Sequence, residues 1–224
     1  MIKNISNLGD AALYCDFGSE VNKEINFEVI KYFKNLKNQN IEGIINLTPS
    51  YNKLIISFDL NKTNFKSIKK VVENLDLSET KHSNSKKIEI PVCNDQNFSL
   101  DIKRLEEKLK LNRDKIFENF FGKEYFCYMT GFIAGMPFLG DLDENMRVKR
   151  LETPRVKVPK GSIGLTEQFA NIYTFESPGG WNIIGNTPLK IFNSSKETEP
   201  NLINPGDTVI FKKISLENYN NFDE

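Results

Sequence analysis

More than half of the chain's thirteen glycines and nine prolines fall in three short clusters in the second half of the sequence, a density that restricts the fold more than any periodicity does. The clusters are Gly131 to Gly140, Thr153 to Gly164 and Ser177 to Pro188. In the last, Pro178 sets φ for a turn, and Gly179 and Gly180 allow close backbone approach. Trp181, the only tryptophan, is thereby fixed after a sharp reversal. Strand connections need only two or three turn-forming residues, so these clusters are read as loops whose backbones approach a ligand or a partner. A β-turn around a core tryptophan is the alternative reading of the last one.

With 224 residues the chain can hold one large or two small domains, and its 39% hydrophobic and 27% charged residues are those of a globular protein. Lys+Arg and Asp+Glu both number 30, so no net field draws it to nucleic acid or to an anionic membrane. The N-terminus lacks the apolar core of a signal peptide and no run approaches the length of a membrane span, which reads as cytoplasmic. Cys15, Cys93 and Cys127 are odd in number and widely spaced, which argues for buried thiols and against a disulfide framework or a metal site. The single histidine, His82, lies in the polar run Ser78 to Lys87 and reads as a linker residue. A Ser-His-Asp or Cys-His mechanism within this chain is therefore not expected.

The first part spells strand, helix, strand, strand, helix. Ala11 to Phe17 has strand composition, and Ile25, Val29, Phe33 and Leu36 form one helical stripe. Ile41 to Leu47 and Leu54 to Phe58 flank a hairpin connection at Thr48 to Lys53. Phe65, Ile68, Val71, Val72 and Leu75 repeat the helical spacing. With Lys87 to Val92 as a last strand the order is βαββαβ, so residues 1–88 are expected to form a ferredoxin-like α+β domain. In residues 89–224, Ser99 and Asn112 are the expected N-caps of two helices, the second stopping at Gly122. From Tyr125 onward short apolar runs alternate with Gly/Pro turns, the pattern of a closed or nearly closed β-barrel.

Chemistry-bearing motifs are few. Gly135 to Gly140 has the glycine spacing of a phosphate loop, but Asp141-Leu142 stands where Lys-Ser/Thr is required. Candidates for an anion site are Arg150, Arg155, Lys157 and Lys160 with the amides around Gly161-Ser162. Solvated surface charge is the competing reading.

The clusters, in this order and spacing, resemble the family containing the 5-oxoprolinase B subunit, the kinase inhibitor KipI and subunit 1 of allophanate hydrolase. That family runs approximately GFxPGFPYLGGL, RxxxPRxxVPAGSVGI, GGQTGIYPxxSPGGWxLIGRTP and PGDxVxF. The counterparts here are Gly131 to Leu142, Arg150 to Leu165, Thr166 to Pro188 and Pro205 to Phe211. Three positions depart from it. Phe120 stands where the family has His, Phe169-Ala170 replaces a Gln-Thr pair, and Asn186 replaces the Arg of GRTP.

The resemblance implies a cyclophilin-like barrel and a subunit, inactive alone, of an ATP-dependent 5-oxoprolinase that opens 5-oxoproline to glutamate. Subunits A and C would be its partners, the KipA-like C subunit the more direct. On this reading Arg155 and Arg150 clamp a phosphate or carboxylate, with Lys157 and Lys160 as supporting charge. The amides near Gly161, Ser162, Gly179 and Gly180 act as oxyanion donors, and Trp181 and Thr187 line the site. The same resemblance also implies two other roles. One is a KipI-like inhibitor docking a sensor histidine kinase with Trp181 as its anchor; the other is an allophanate hydrolase subunit 1-like protein.

Overall fold

The computed structural model describes residues 1–77 and 85–222; His82 and the run from Ser78 to Asn84 lie outside them. The chain divides into two compact units, Met1–Asn84 and Ser85–Glu224.

The first unit contains β1 (Asn4–Asn7), β2 (Ala12–Asp16), α1 (Lys23–Gln39), β3 (Ile44–Pro49), β4 (Lys53–Phe58) and α2 (Phe65–Glu73). Strict alternation along β2 and β4 turns Leu13, Cys15, Leu54, Ile56 and Phe58 inward, where they meet Val29 and Leu36 of α1 and Ile68 and Val72 of α2. Burial there pushes the Cys15 thiol up to about 12. Asn22 and Asn64 cap the helices by accepting from the amides of Ile25 and Ser67 at 2.9 and 3.0 Å. Ser50 to Lys53 closes the expected hairpin between β3 and β4.

The sheet order is β1-β2-β4-β3, antiparallel throughout, and it departs from the expected βαββαβ arrangement in one strand. The edge beside β2 is filled by β1, which returns through Gly9 at φ 62°; the strand expected there, β5 (Lys87–Cys93), belongs to the second unit. The reason lies in what β5 buries. Ile90 and Val92 are fully enclosed in the second core, beside the longest strand pairing among the described residues.

The second unit continues with α3 (Ile102–Leu109), α4 (Arg113–Phe121), β6 (Glu124–Thr130), β7 (Pro137–Gly140), β8 (Arg155–Val158), β9 (Ser162–Thr166) and β10 (Phe169–Ile172). It ends with β11 (Ser177–Gly179), β12 (Asn182–Asn186), β13 (Thr208–Ile214) and α5 (Leu216–Asn220). Seven strands close a barrel in the order β10-β7-β6-β13-β5-β12-β9, as the density of short strands and turns led one to expect. Of the barrel's pairings only that of β5 with β13 is parallel. β8 and β11 form a separate ribbon.

Asn112 caps α4 as expected, accepting from the Lys115 amide at 2.8 Å. Ser99 does not cap α3. Its hydroxyl is buried 2.9 Å from the carbonyls of both Asn94 and Ile184, where it bridges the sparse seam between β5 and β12, and Asp101 stands at the helix start instead.

Candidate functional site

The three glycine and proline clusters converge on one outer face of the barrel. Along β9, Ile163 and Leu165 point into the main core while Gly164 points out; along β10, Ala170 and Ile172 point in and Asn171 out. Leu139 and Ile184 are interior on β7 and β12, while their neighbours Phe138 and Ile183 join an outer cluster with Met136, Val158 and Tyr173. The β8/β11 ribbon supplies Val158 and brings Gly179 opposite Arg155.

Trp181 closes this layer. It is 5% exposed, meets the Phe138 ring edge-on at 5.5 Å, and has the Arg150 guanidinium 5.8 Å from its ring centroid. A Cβ on Gly164 would fall 2.9 Å from the Trp181 Cβ and 2.5 Å from Asn171 Oδ1, and one on Gly179 would overlap the Tyr173 hydroxyl. Here the glycines serve the approach of one loop to another. Burial raises the Tyr173 phenol pKa; hydrogen bonding with Asn171 and the Trp181 main chain, then the charges of Arg150 and Arg155, oppose that shift.

Arg155 is held rather than free. Its Nη2 donates to Asp101 Oδ1 at 2.5 Å, and Asp101 Oδ2 accepts from the Ile183 amide at 2.7 Å. The Asp101 amide donates in turn to the Ile183 carbonyl at 3.0 Å, so one buried carboxylate ties the start of α3 to β12 and to β8. Sequence reasoning missed Asp101; its place just before a helical stripe, the position of a cap, was the one signal that marked it. Among the described residues, three buried polar atoms on these strands have no protein partner: Arg155 Nη1, Ser177 Oγ and Asn182 Oδ1.

Of the residues singled out from sequence, Arg150, Arg155, Gly179, Gly180 and Trp181 come together here. Lys157 instead pairs with Glu176 at 3.0 Å, both side chains exposed. Lys160, Gly161, Ser162 and Thr187 form a second knot around Asn186, whose amide donates to the Lys160 carbonyl at 2.9 Å and whose oxygen accepts from the Tyr219 hydroxyl at 2.8 Å.

Two of the four amides expected as oxyanion donors are already used: Gly161 N–H donates to the Tyr173 carbonyl at 2.7 Å and Ser162 N–H to the Pro159 carbonyl at 3.2 Å. Thr187 donates through its amide to the Gly161 carbonyl at 2.9 Å. Trp181 is too buried to be the surface anchor of the inhibitor reading.

Of the three departures from the family pattern, two pack and one hydrogen-bonds. Phe120 stacks on Phe211 at 4.7 Å in the core, and its carbonyl accepts from the Tyr125 hydroxyl. Phe169 meets Tyr128 edge-on at 5.6 Å, and Ala170 faces the interior. Asn186 holds the second knot together.

The family described as carboxyltransferase domain, subdomain C and D, matches residues 3–203. The 5-oxoprolinase B subunit of Bacillus subtilis is 31% identical over 98% of this chain and 96% of its own length. That of Haemophilus influenzae is 30% identical over 96% and 99%. Among solved structures, TTHA0988 superposes with a TM-score of 0.82 at 26% identity, covering 92% of this chain, which spans 40% of TTHA0988. On these matches the chain belongs to the family of the carboxyltransferase subdomains C and D and of the bacterial 5-oxoprolinase B subunits.

Proposed function

We infer that this chain is the B subunit of an ATP-dependent 5-oxoprolinase and does no chemistry unless joined by the A and C subunits. The observation that carries the reading is the identity to two 5-oxoprolinase B subunits over nearly their full lengths. The barrel is read, on the same resemblance, as cyclophilin-like.

A lactam resists attack by water until its oxygen carries a better leaving group, so the reaction needs cations and amide donors around a phosphoryl group. The described residues fit such a group poorly. The Gly161 and Ser162 amides are spent and Arg155 is engaged by Asp101, which leaves Arg150 and Lys160 as exposed cations beside the loops. ATP binding therefore belongs to the assembled complex, with Arg150 on Trp181 as this chain's contribution to holding an anionic group.

The test is glutamate release from 5-oxoproline with ATP, by this chain alone and with the A and C subunits. Turnover only by the three together is expected. Turnover by the single chain would overturn the subunit role, and none by the three would overturn the substrate. The inhibitor reading is favoured by Phe120 and Phe169-Ala170, which pack where the family carries polar residues. Loss of sensor-kinase autophosphorylation on adding the chain would select it.

A further inference from the structure

A second cleft in the barrel unit uses none of the residues gathered around Trp181. It opens at the carboxyl ends of β5 and β13, the parallel pair of the barrel, which stop level with each other at Cys93 and Ile214. α4 forms one wall and the start of α5 another, and the cavity between them measures about 640 Å³, a size common for small-molecule sites. Ligands occupy the same place in open α/β sheets, because two chains leaving a sheet in different directions do not fill the space between them.

Both walls are held in place. At the start of α4 the Arg113 amide donates to Glu106 Oε1 at 2.8 Å, and Arg113 Nη2 donates to the Asn94 carbonyl at 2.9 Å. The guanidinium carbon lies 5.6 Å from the centroid of the Phe117 ring, so the cation is oriented as well as placed. α5 buries none of its own residues, yet it is pinned by Tyr219, whose ring meets Phe98 at 4.5 Å and whose hydroxyl donates to Asn186 at 2.8 Å.

The lining combines an aromatic wall with charges of both signs. The Phe117 and Phe121 rings stack at 6.0 Å, and Ile214 lines the cavity with them. Five charged residues share the space: Arg113, Lys213, Asp95, Asp114 and Glu118. Glu118 is engaged by Lys115 at 3.0 Å. The other four, two of each sign, form no ion pair among the described residues. An anion entering the cleft meets two carboxylates and a cation meets two bases, so neither alone is complementary to it. A zwitterion is, with its carboxylate on the planar guanidinium fork and its ammonium on the acids. The stacked phenyl wall selects an aromatic side chain between those two ends.

We propose that the cleft between α4 and α5 binds a free aromatic amino acid, its carboxylate on Arg113 and Lys213, its ammonium on Asp95 and Asp114, and its ring against Phe117 and Phe121. The site stands apart from the B-subunit reading, since it draws on neither Arg150 nor Trp181.

The experiment titrates the full chain with L-phenylalanine by calorimetry, with thermal unfolding alongside. L-Phenylalaninol, which lacks the carboxylate, 3-phenylpropionate, which lacks the ammonium, and L-glutamate, which lacks the ring, are the comparisons. One L-phenylalanine per chain and a raised melting temperature are expected, with each comparison compound weaker by about tenfold or more. Arg113→Gln should lower the affinity about tenfold. Lys213→Gln and Asp114→Asn should each lower it about threefold; both side chains are exposed, so these variants keep the fold and carry the test even if Arg113→Gln unfolds. Absence of saturable binding would overturn the site, and equal affinity for 3-phenylpropionate would overturn the zwitterion. L-Glutamate bound as tightly as L-phenylalanine would overturn the aromatic wall. Wild-type affinity in all folded variants would show that the amino acid binds elsewhere.

Discussion

The barrel interior and the covered outer face are lined by the same strands, β7, β9, β10 and β12, yet they are held by different physics. Inside, Leu139, Ile163, Leu165, Ala170, Ile172 and Ile184 pack as one apolar mass, and any residue of like volume would serve nearly as well. Outside, the layer depends on single contacts. A glycine admits Trp181, another admits Tyr173, and one carboxylate, Asp101, joins three elements. The interior tolerates change in proportion to volume, whereas the outer face fails at particular atoms. This is why the sequence motif is dense there.

The largest effect expected on this contrast comes from Asp101→Ala. It leaves the Arg155 guanidinium without its carboxylate and the Ile183 amide without its acceptor, and should cost about 3–5 kcal/mol in urea unfolding of the second unit. Ile163→Val, an interior change, should cost only about 0.5–1.5 kcal/mol. Equal costs for the two would erase the distinction between the faces.

Next is Gly164→Ala, whose added methyl must displace Asn171 or Trp181 and should cost about 1–3 kcal/mol, with a shift in tryptophan fluorescence. An unaltered emission spectrum at full stability would show that the loops stand farther apart than described.

Arg150→Ala removes an exposed cation over an aromatic ring and should cost no more than about 0.5–1 kcal/mol. It should nonetheless lower turnover of the three-subunit assembly. Loss of stability without loss of turnover would remove Arg150 from the proposed site.

The smallest effect lies in the first unit. Bonding to Lys53, then to the Gly18 amide, holds the Asp16 carboxyl below its ordinary value. A depressed folded-state pKa gives stability that is present above the unfolded value of about 3.9 and is lost as pH falls through the folded one. The advantage of the wild-type chain over Lys53→Met should therefore shrink below about pH 4. A constant advantage across that range would show that the pairing contributes nothing.

Much of this architecture was legible because periodicity reports burial. The stripe Ile25, Val29, Phe33, Leu36 became a helix on the first core, and the short runs after Tyr125 became a closed barrel. What escaped was anything decided by long-range pairing. The pattern of β5 fits either sheet, and only its seven-residue match to β13 places it in the barrel. The amides of Gly161 and Ser162 looked available because their partners, the carbonyls of Tyr173 and Pro159, cannot be inferred from local spacing. Read by spacing alone, Arg155 is a candidate for an anion site. Its tie to Asp101, 54 residues earlier, makes it a strut, so Arg155→Ala is expected to destabilise the second unit.

That strut is the central claim, and a double-mutant cycle tests it most directly. Asp101→Ala, Arg155→Ala and the double variant are compared with the wild type by urea unfolding. Coupling of about 2 kcal/mol or more between the two positions is the expected result for a hydrogen-bonded pair whose carboxylate is buried, with the double variant less damaged than the sum of the singles. Additive costs within about 0.5 kcal/mol would show that the two side chains act independently, and would contradict the account of how the outer face is held.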